Sequence, residues 1–128
     1  SKTTNGVTVT VTPYFLDEQS SPQESHYVWA YQVNIMNSSS TTMKLNHRNW
    51  VIIDANGKII NVQGEGVVGE FPTLKPGESF EYTSGTPLKT TNGIMQGFYL
   101  MSQNNGEQLK IDIPTFSLDS PYNNKKFH

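Results

Sequence analysis

From Val7 the chain alternates apolar and polar positions with a period of two: Val7, Val9 and Val11 against Thr8, Thr10 and Thr12. Successive side chains of an extended backbone point to opposite faces, so this rhythm predicts a half-buried strand. Pro13 lacks a backbone donor and places that strand at an edge or bends it. The polar stretch from Asp17 to Ser25 reads as a loop. A second strand runs from about His26 to Met36, with Tyr27, Trp29, Tyr31, Val33 and Ile35 on one face and Gln32 and Asn34 on the other. After a turn at Asn37-Ser38-Ser39-Ser40, Met43 to Asp54 reads as a third strand. Asn56-Gly57 then predicts a two-residue hairpin turn, because both residues tolerate positive φ, with Lys58 to Gln63 as the returning strand. Further on, Lys75-Pro76-Gly77-Glu78 marks a turn, and Phe80 with Tyr82 opens another strand. Asn92-Gly93 precedes an apolar run from Ile94 to Met101, and Asn104-Asn105-Gly106 turns the chain back. Leu109, Ile111 and Ile113 alternate with Lys110 and Asp112; Pro114 ends that strand or sets it at an edge, and Phe116 and Leu118 continue the apolar series. Seven or eight short strands with regular turns and no amphipathic helix predict an all-β fold, an antiparallel β-sandwich.

Composition strengthens this reading. The 128 residues include two alanines, Ala30 and Ala55, against thirty β-branched residues. Alanine is the strongest helix former, whereas branching at Cβ suits a pleated surface. Leu, Ile, Val and Phe together number 30, above the share of roughly one-fifth below which chains stay disordered, so a thin core is expected. One domain is expected over residues 1–128, with its core at about 6–118 and residues 119–128 a loose C-terminal tail.

Charge narrows the partners. A net charge of −2 and a pI near 5.8 give no general attraction to nucleic acid or anionic lipid. Lys125-Lys126 is too short for a basic arm. No apolar stretch approaches the roughly 20 residues a membrane helix needs, and the opening Ser1-Lys2-Thr3-Thr4 lacks the apolar centre of a secretion signal. With no cysteine there is no disulfide, thiol nucleophile or thiolate metal site, which agrees with a cytoplasmic setting.

Six segments occur in an order that resembles one known family: Arg48-Asn49-Trp50, Gly64 to Glu70, Leu74 to Glu78, Tyr82 to Gly85, Gly93 to Gly97, and Ile113 to Leu118. Together they resemble the ApaG family of small bacterial proteins, which also occurs as a domain in some eukaryotic F-box and polymerase-associated proteins. The likeness spans roughly residues 6 to 118 and looks like the stand-alone bacterial form. Phe71 and Thr115 depart from the family pattern, at positions where a polar residue and a second proline are expected. The resemblance implies an immunoglobulin-like or fibronectin-type-III-like β-sandwich. It implies no enzymatic activity, an association with cobalt tolerance and magnesium efflux, and, for the eukaryotic copies, protein binding.

The segment Gly64-Glu65-Gly66-Val67-Val68-Gly69-Glu70 has the glycine spacing of a dinucleotide loop. That chemistry needs a helix N-terminus to meet the pyrophosphate. Val67-Val68 prefers a strand and Phe71-Pro72 leaves a helix no room, so the glycines are expected to form bulges or a tight strand crossing. Glu65 and Glu70 would also repel phosphate. The alternative makes Gly64, Glu65, Gly66, Gly69 and Glu70 a ligand site, in which the carboxylates hold Mg²⁺ or Co²⁺ and the metal bridges to a nucleotide or pyrophosphate.

Elsewhere catalytic chemistry is not apparent. His26, His47 and His128 lack metal-ligand spacing, and His47 follows Leu45 as a packed or rim residue. Ser84-Gly85-Thr86 has no nucleophile elbow around it and reads as a turn or strand-end hydroxyl. Asp112 reads as a solvated charge. Trp29 and Trp50 are expected in the core, whereas an exposed Trp50 beside Arg48 would signal a binding patch. A non-enzymatic protein-binding module is therefore expected, without cofactor, catalytic residue or metal site. Its contacts are placed on sheet edges and on loops near Gly64–Glu70 and Tyr82–Thr86, and edge pairing makes a homodimer compatible with the sequence.

Overall fold

The computed structural model describes residues 1–122. Their strands are β1 (Lys2–Thr4), β2 (Val7–Phe15), β3 (Tyr27–Asn37), β4 (Met43–Asp54), β5 (Ile59–Glu65), β6 (Thr73–Leu74), β7 (Ser79–Leu88), β8 (Gly93–Gln103) and β9 (Gln108–Leu118). The seven long strands are those the alternation predicts; β1 and β6 have three and two residues, too few to leave a pattern. One sheet has the order β1-β2-β3-β7, the other β5-β4-β8-β9 with β6 also on β4, and all named pairings are antiparallel. The fold is an all-β sandwich.

The core lies where the period-two pattern places it. On β3, Tyr27, Trp29, Tyr31, Val33 and Ile35 are all buried. Trp29 packs edge-on against Phe15 at 5.4 Å and donates its indole N–H to the Asp119 carbonyl at 2.7 Å. Trp50 is 2% exposed and meets the Tyr31 ring edge-on at 5.3 Å. Both tryptophans are core residues, so the patch that an exposed Trp50 would have formed does not exist.

Several local expectations are revised. The Asn56-Gly57 hairpin has a three-residue loop, because Asp54 bonds to Lys58 rather than Ala55 (Asp54 N–H to Lys58 O, 3.0 Å). The Asp54 carboxylate accepts the N–H groups of Asn56 and Lys58, both at 2.9 Å, and only Gly57 takes positive φ. That is the three-residue turn with a glycine bulge. Tyr82–Thr86 is not a loop. It lies inside β7, paired along its length with β3, and Tyr82 and Thr86 are buried. Ser84-Gly85-Thr86 is thus mid-strand rather than a turn or strand end. Pro114 sits within β9, where two residues, Pro114 and Thr115, oppose Gln96 in a bulge. Of the segment read as a loose tail, residues 119–122 are held: Ser120 donates to the Thr91 carbonyl and the Tyr122 ring lies 6.1 Å from Phe15. Residues 123–128, with Lys125, Lys126 and His128, lie outside the described residues.

The two seams of the sandwich differ. At one, β9 packs beside β1 and β2; Thr4 Oγ1 accepts the Asp112 N–H at 3.3 Å, and Lys2 Nζ lies 3.5 Å from the Asp112 carboxylate. Asp112 is therefore a rim ion pair, worth about 0–1 kcal/mol at such exposure. At the other seam the edges of β5 and β7 stand apart. No helix among the described residues is long and apolar enough to cross a membrane.

Asn37 secures the end of the sandwich beyond β3. It is fully buried, its Nδ2 donates to the Thr41 and Leu74 carbonyls, both at 2.9 Å, and its Oδ1 accepts from Ser39 N–H and Oγ. Its backbone N–H and carbonyl bond to Glu78 and Gly77 of the Lys75–Glu78 turn. Asn37→Ala removes a buried donor from the Leu74 carbonyl and the acceptor that holds Ser39, and is expected to cost about 3 kcal/mol, against about 1 kcal/mol for Ser39→Ala, measured by urea unfolding. Equal midpoints for the two variants would remove this role from the asparagine.

Candidate functional site: the Arg48 cleft

The site begins with one extra residue. Leu45 opposes Met101 and His47 opposes Leu100, so Asn46 has no partner across the ladder. A bulge of this kind shifts every following side chain to the other face. Met43 and Leu45 face inward before it; Trp50 and Ile52 face inward after it. By the same parity Arg48 points between the sheets and His47 points outward, which corrects the expectation that His47 continues the face of Leu45.

Asn46 also organises the glycine segment. β5 and β6 lie along the same side of β4, and residues 66–72 make a detour between them, opposite the bulge. Gly66 donates its N–H to the Asn46 carbonyl at 3.0 Å, and Leu45 donates to the Pro72 carbonyl at 2.9 Å. Val67 and Glu70 exchange both backbone hydrogen bonds at 2.8 Å, closing a tight turn over Val68 (φ 43°) and Gly69 (φ 79°). Val67 is fully buried beneath it. No helix follows, in agreement with the expected tight crossing. Val68 is a β-branched residue in left-handed backbone at an exposed tip, a conformation that costs about 1–2 kcal/mol.

Gly64 faces Arg48 in register. A Cβ there would lie 2.6 Å from Arg48 Nη2, so the missing side chain is the space the guanidinium fills. Through that gap Arg48 Nη1 reaches the carbonyls of Glu65 at 3.0 Å and Gly66 at 2.9 Å. Arg48 is the sole arginine of the chain and, among the described residues, it makes no ion pair. Tyr31, Trp50 and Ser84 share the hollows on both of its sides, of about 140 and 170 Å³.

The tyrosines below the cleft are kept neutral. Burial raises the Tyr82 hydroxyl well above its usual pKa of 10.0, against a lowering by its hydrogen bond to Tyr99 and by Arg48. Burial likewise raises Tyr99, and Tyr31 to a lesser degree against Ser84 and Arg48. The arrangement offers a cation with spare N–H donors, neutral hydroxyls and aromatic walls. Such a cation can meet an anion through its free N–H donors, and hydroxyls raised above the usual tyrosine range stay protonated near neutral pH.

The sequence-predicted site residues divide accordingly. Gly64, Gly66 and Gly69 serve the arginine and the turn. Glu65 ends β5 opposite His47, Glu70 closes the turn, and both are exposed. No group of three His, Cys, Asp or Glu that could hold a metal ion is assembled among the described residues. His26 is exposed on a bridge to Ser21. Arg48 was the residue sequence reasoning missed as a site in its own right; its signals were its uniqueness and the parity change from Leu45 to Trp50.

Fold and site together define an antiparallel two-sheet sandwich with one sealed seam and one open, cationic seam. The sequence profile of the ApaG domain matches residues 17–103. The chain is 55% identical over 122 residues to Protein ApaG of Paramagnetospirillum magneticum, covering 95% of this chain and 94% of that one. It is 54% identical over 122 residues to Protein ApaG of Bradyrhizobium diazoefficiens, with the same coverage. The ApaA protein of Bordetella pertussis superposes with a TM-score of 0.87 at 44% identity, covering 90% of this chain and 94% of that chain. The chain belongs to the ApaG family.

Two expectations follow from the geometry. A methyl at Gly64 displaces a flexible guanidinium, whereas one at Gly66 would lie 2.2 Å from the Glu70 carbonyl on a backbone at φ 64°. Gly64→Ala should cost about 1 kcal/mol and shift the Arg48 Nε–H resonance, while Gly66→Ala should cost about 3 kcal/mol; the reverse order in urea melts would refute the assignment. For the tyrosines, a raised folded pKa gives stability that is complete below pH 10 and declines as pH rises from 10 towards the folded value. Tyrosinate absorbance at 295 nm should therefore rise first from exposed rings and last, together with loss of the strand circular dichroism, from Tyr82 and Tyr99. Full ionisation of an intact fold would contradict their burial.

Proposed function

We propose that the protein is a non-enzymatic binding module that takes up an extended segment of another protein along the free edge of β5. The observation that carries this reading is the unprotected state of that edge. Asp54 pairs with Lys58 by hydrogen bonding, and Asn46 with Gly66. Antiparallel bonding alternates, so the even residues of β5 face β4, and Ile59, Asn61 and Gln63 direct their N–H and C=O groups to the open edge, as Glu65 does its N–H, its carbonyl being held by Arg48.

Edge strands usually carry proline, lysine, a bulge or a covering element against unwanted pairing. Here β2, where it runs on beyond the three residues paired with β1, has Pro13, β9 has Pro114 and the sealed seam, and β7 has Pro87. Ile59-Ile60-Asn61-Val62-Gln63-Gly64-Glu65 has neither proline nor lysine. Apolar exposure gathers there too: Ile59 is 60% exposed, Val62 39%, and Val68 and Phe71 in the adjoining detour 50% and 47%. Strand addition to such an edge draws affinity from main-chain bonds and specificity from alternate side chains.

The pyrophosphate-with-metal reading has less support, because the N–H groups of Gly66, Val67 and Glu70 are already bonded within the protein. Any link to metal tolerance of the kind the family resemblance implies would then run through the partner protein. A cytoplasmic setting belongs to this reading and accords with the absence of cysteine.

The test uses random nonapeptides displayed on phage. Binders should shift the amide resonances of Asn61, Gln63 and Glu65 and lose at least tenfold in affinity on Gln63→Pro, which removes an outward donor and leaves the ladder to β4 intact. Binders that map elsewhere, or a concentration-dependent dimer with no peptide binding at β5, would overturn the proposal.

A further inference from the structure

The open seam is a charged groove, and its charge is opposite to that of the protein. Three hollows lie in series between β5 and β7. The first, about 220 Å³, is flanked by Lys58, Ile60, Leu88 and Lys89. The second, about 140 Å³, includes Ile52, Val62 and Thr86, and the third, about 170 Å³, reaches Val68, Gly69 and Tyr82. Arg48 is common to the last two. The lining thus carries three cations, Arg48, Lys58 and Lys89. Its one carboxylate is Asp54, which already accepts the N–H groups of Asn56 and Lys58. The whole chain bears a net charge of −2, so this concentration of positive charge is local.

The floor between the cations is apolar and aromatic, from Trp50 and Ile52 to Ile60 and Leu88. Arg48 holds its place through Nη1 on the Glu65 and Gly66 carbonyls, which leaves its remaining donors to an incoming acceptor. A guanidinium fixed by neutral carbonyls, with no carboxylate partner, keeps its full charge for a ligand.

We infer that the segment taken up along β5 is acidic, and that it sets one carboxylate on Arg48 and a second between Lys58 and Lys89. This inference rests on the strand-addition reading and adds the chemistry of the partner. The register fixes the spacing. Arg48 faces Gly64, and Lys58 precedes Gly64 by six residues along the same line. At ~3.3 Å per residue an extended partner needs its two acidic residues about 20 Å apart, six positions from one another. The residues between them alternate, with apolar side chains turned to the floor.

Two capped decapeptides of alternating valine and threonine test this, one with glutamate at positions 2 and 8, the other with glutamine at both. The glutamate peptide should bind the intact protein at least tenfold more tightly, and its affinity should fall with salt while that of the glutamine peptide should not. Arg48→Gln should abolish the contribution of one glutamate, and a double-mutant cycle should show the coupling. Because Arg48 also positions the 65–66 carbonyls, Lys58→Gln with Lys89→Gln, which touches neither, serves as the second variant and should cancel the other glutamate. Equal affinities of the two peptides, both mapping to β5, would overturn the acidic partner and leave strand addition standing. Binding of neither peptide at β5 would overturn both. Pyrophosphate shifting the Arg48 Nε–H resonance without any preference between the peptides would assign the cation to a phosphate and overturn the inference.

Discussion

The open side of this sandwich depends on one interaction, the Arg48 guanidinium laid across Gly64 onto the carbonyls of Glu65 and Gly66. Two conditions produce it. The Asn46 bulge turns Arg48 inward, and the glycine leaves the volume a side chain would occupy. Without the bulge, His47 would point between the sheets and the arginine would lie on the outer face. Without the glycine, the guanidinium could not pass over β5. A charged group this close to aromatic and aliphatic walls is tolerated because its donors meet carbonyls and its remainder reaches water.

The asymmetry of the two seams follows from similarly local causes. At the sealed seam, β1 adds a short strand to β2, and β9 meets both. At the open seam, β5 is tied to β4 alone, and most of its residues are exposed. Buried packing away from the groove includes Trp29 and the Asn37 knot, while the groove has left-handed valine backbone at its tip. Binding surfaces are commonly drawn from such less stabilised elements.

How much was legible beforehand can be argued from particular residues. The long strands and the core face of β3 could be read because period-two alternation is imposed directly by strand geometry. The two bulges were written in the same alternation, as changes of parity between Leu45 and Trp50 and between Ile113 and Phe116. They escape any reading that omits a change of parity within a strand. That one omission misplaced His47 and hid Arg48. The hairpin at Asn56-Gly57 differed for another reason: the carboxylate of Asp54, two residues upstream, competed for the turn N–H groups and chose the longer loop. Tyr82–Thr86 read as a loop because Gly85 and Pro87 punctuate it, yet an edge strand accepts both.

The glycine segment shows how one residue pattern supports two different physical arrangements. In a nucleotide loop, glycines let backbone N–H groups converge on an anion, with a helix dipole behind them. Here the same spacing does the reverse. The glycines let carbonyls converge on a cation, since Arg48 is held by two backbone oxygens, and the neighbouring N–H groups close the turn among themselves. The positive charge at this site therefore comes from a side chain rather than from the main chain. A side-chain cation is selected by the charge of the ligand and by its position along the groove, not by the shape of a diphosphate. An edge strand running alongside adds a row of main-chain donors and acceptors to that cation, and that pairing of features is what the proposed uptake of an extended acidic segment uses.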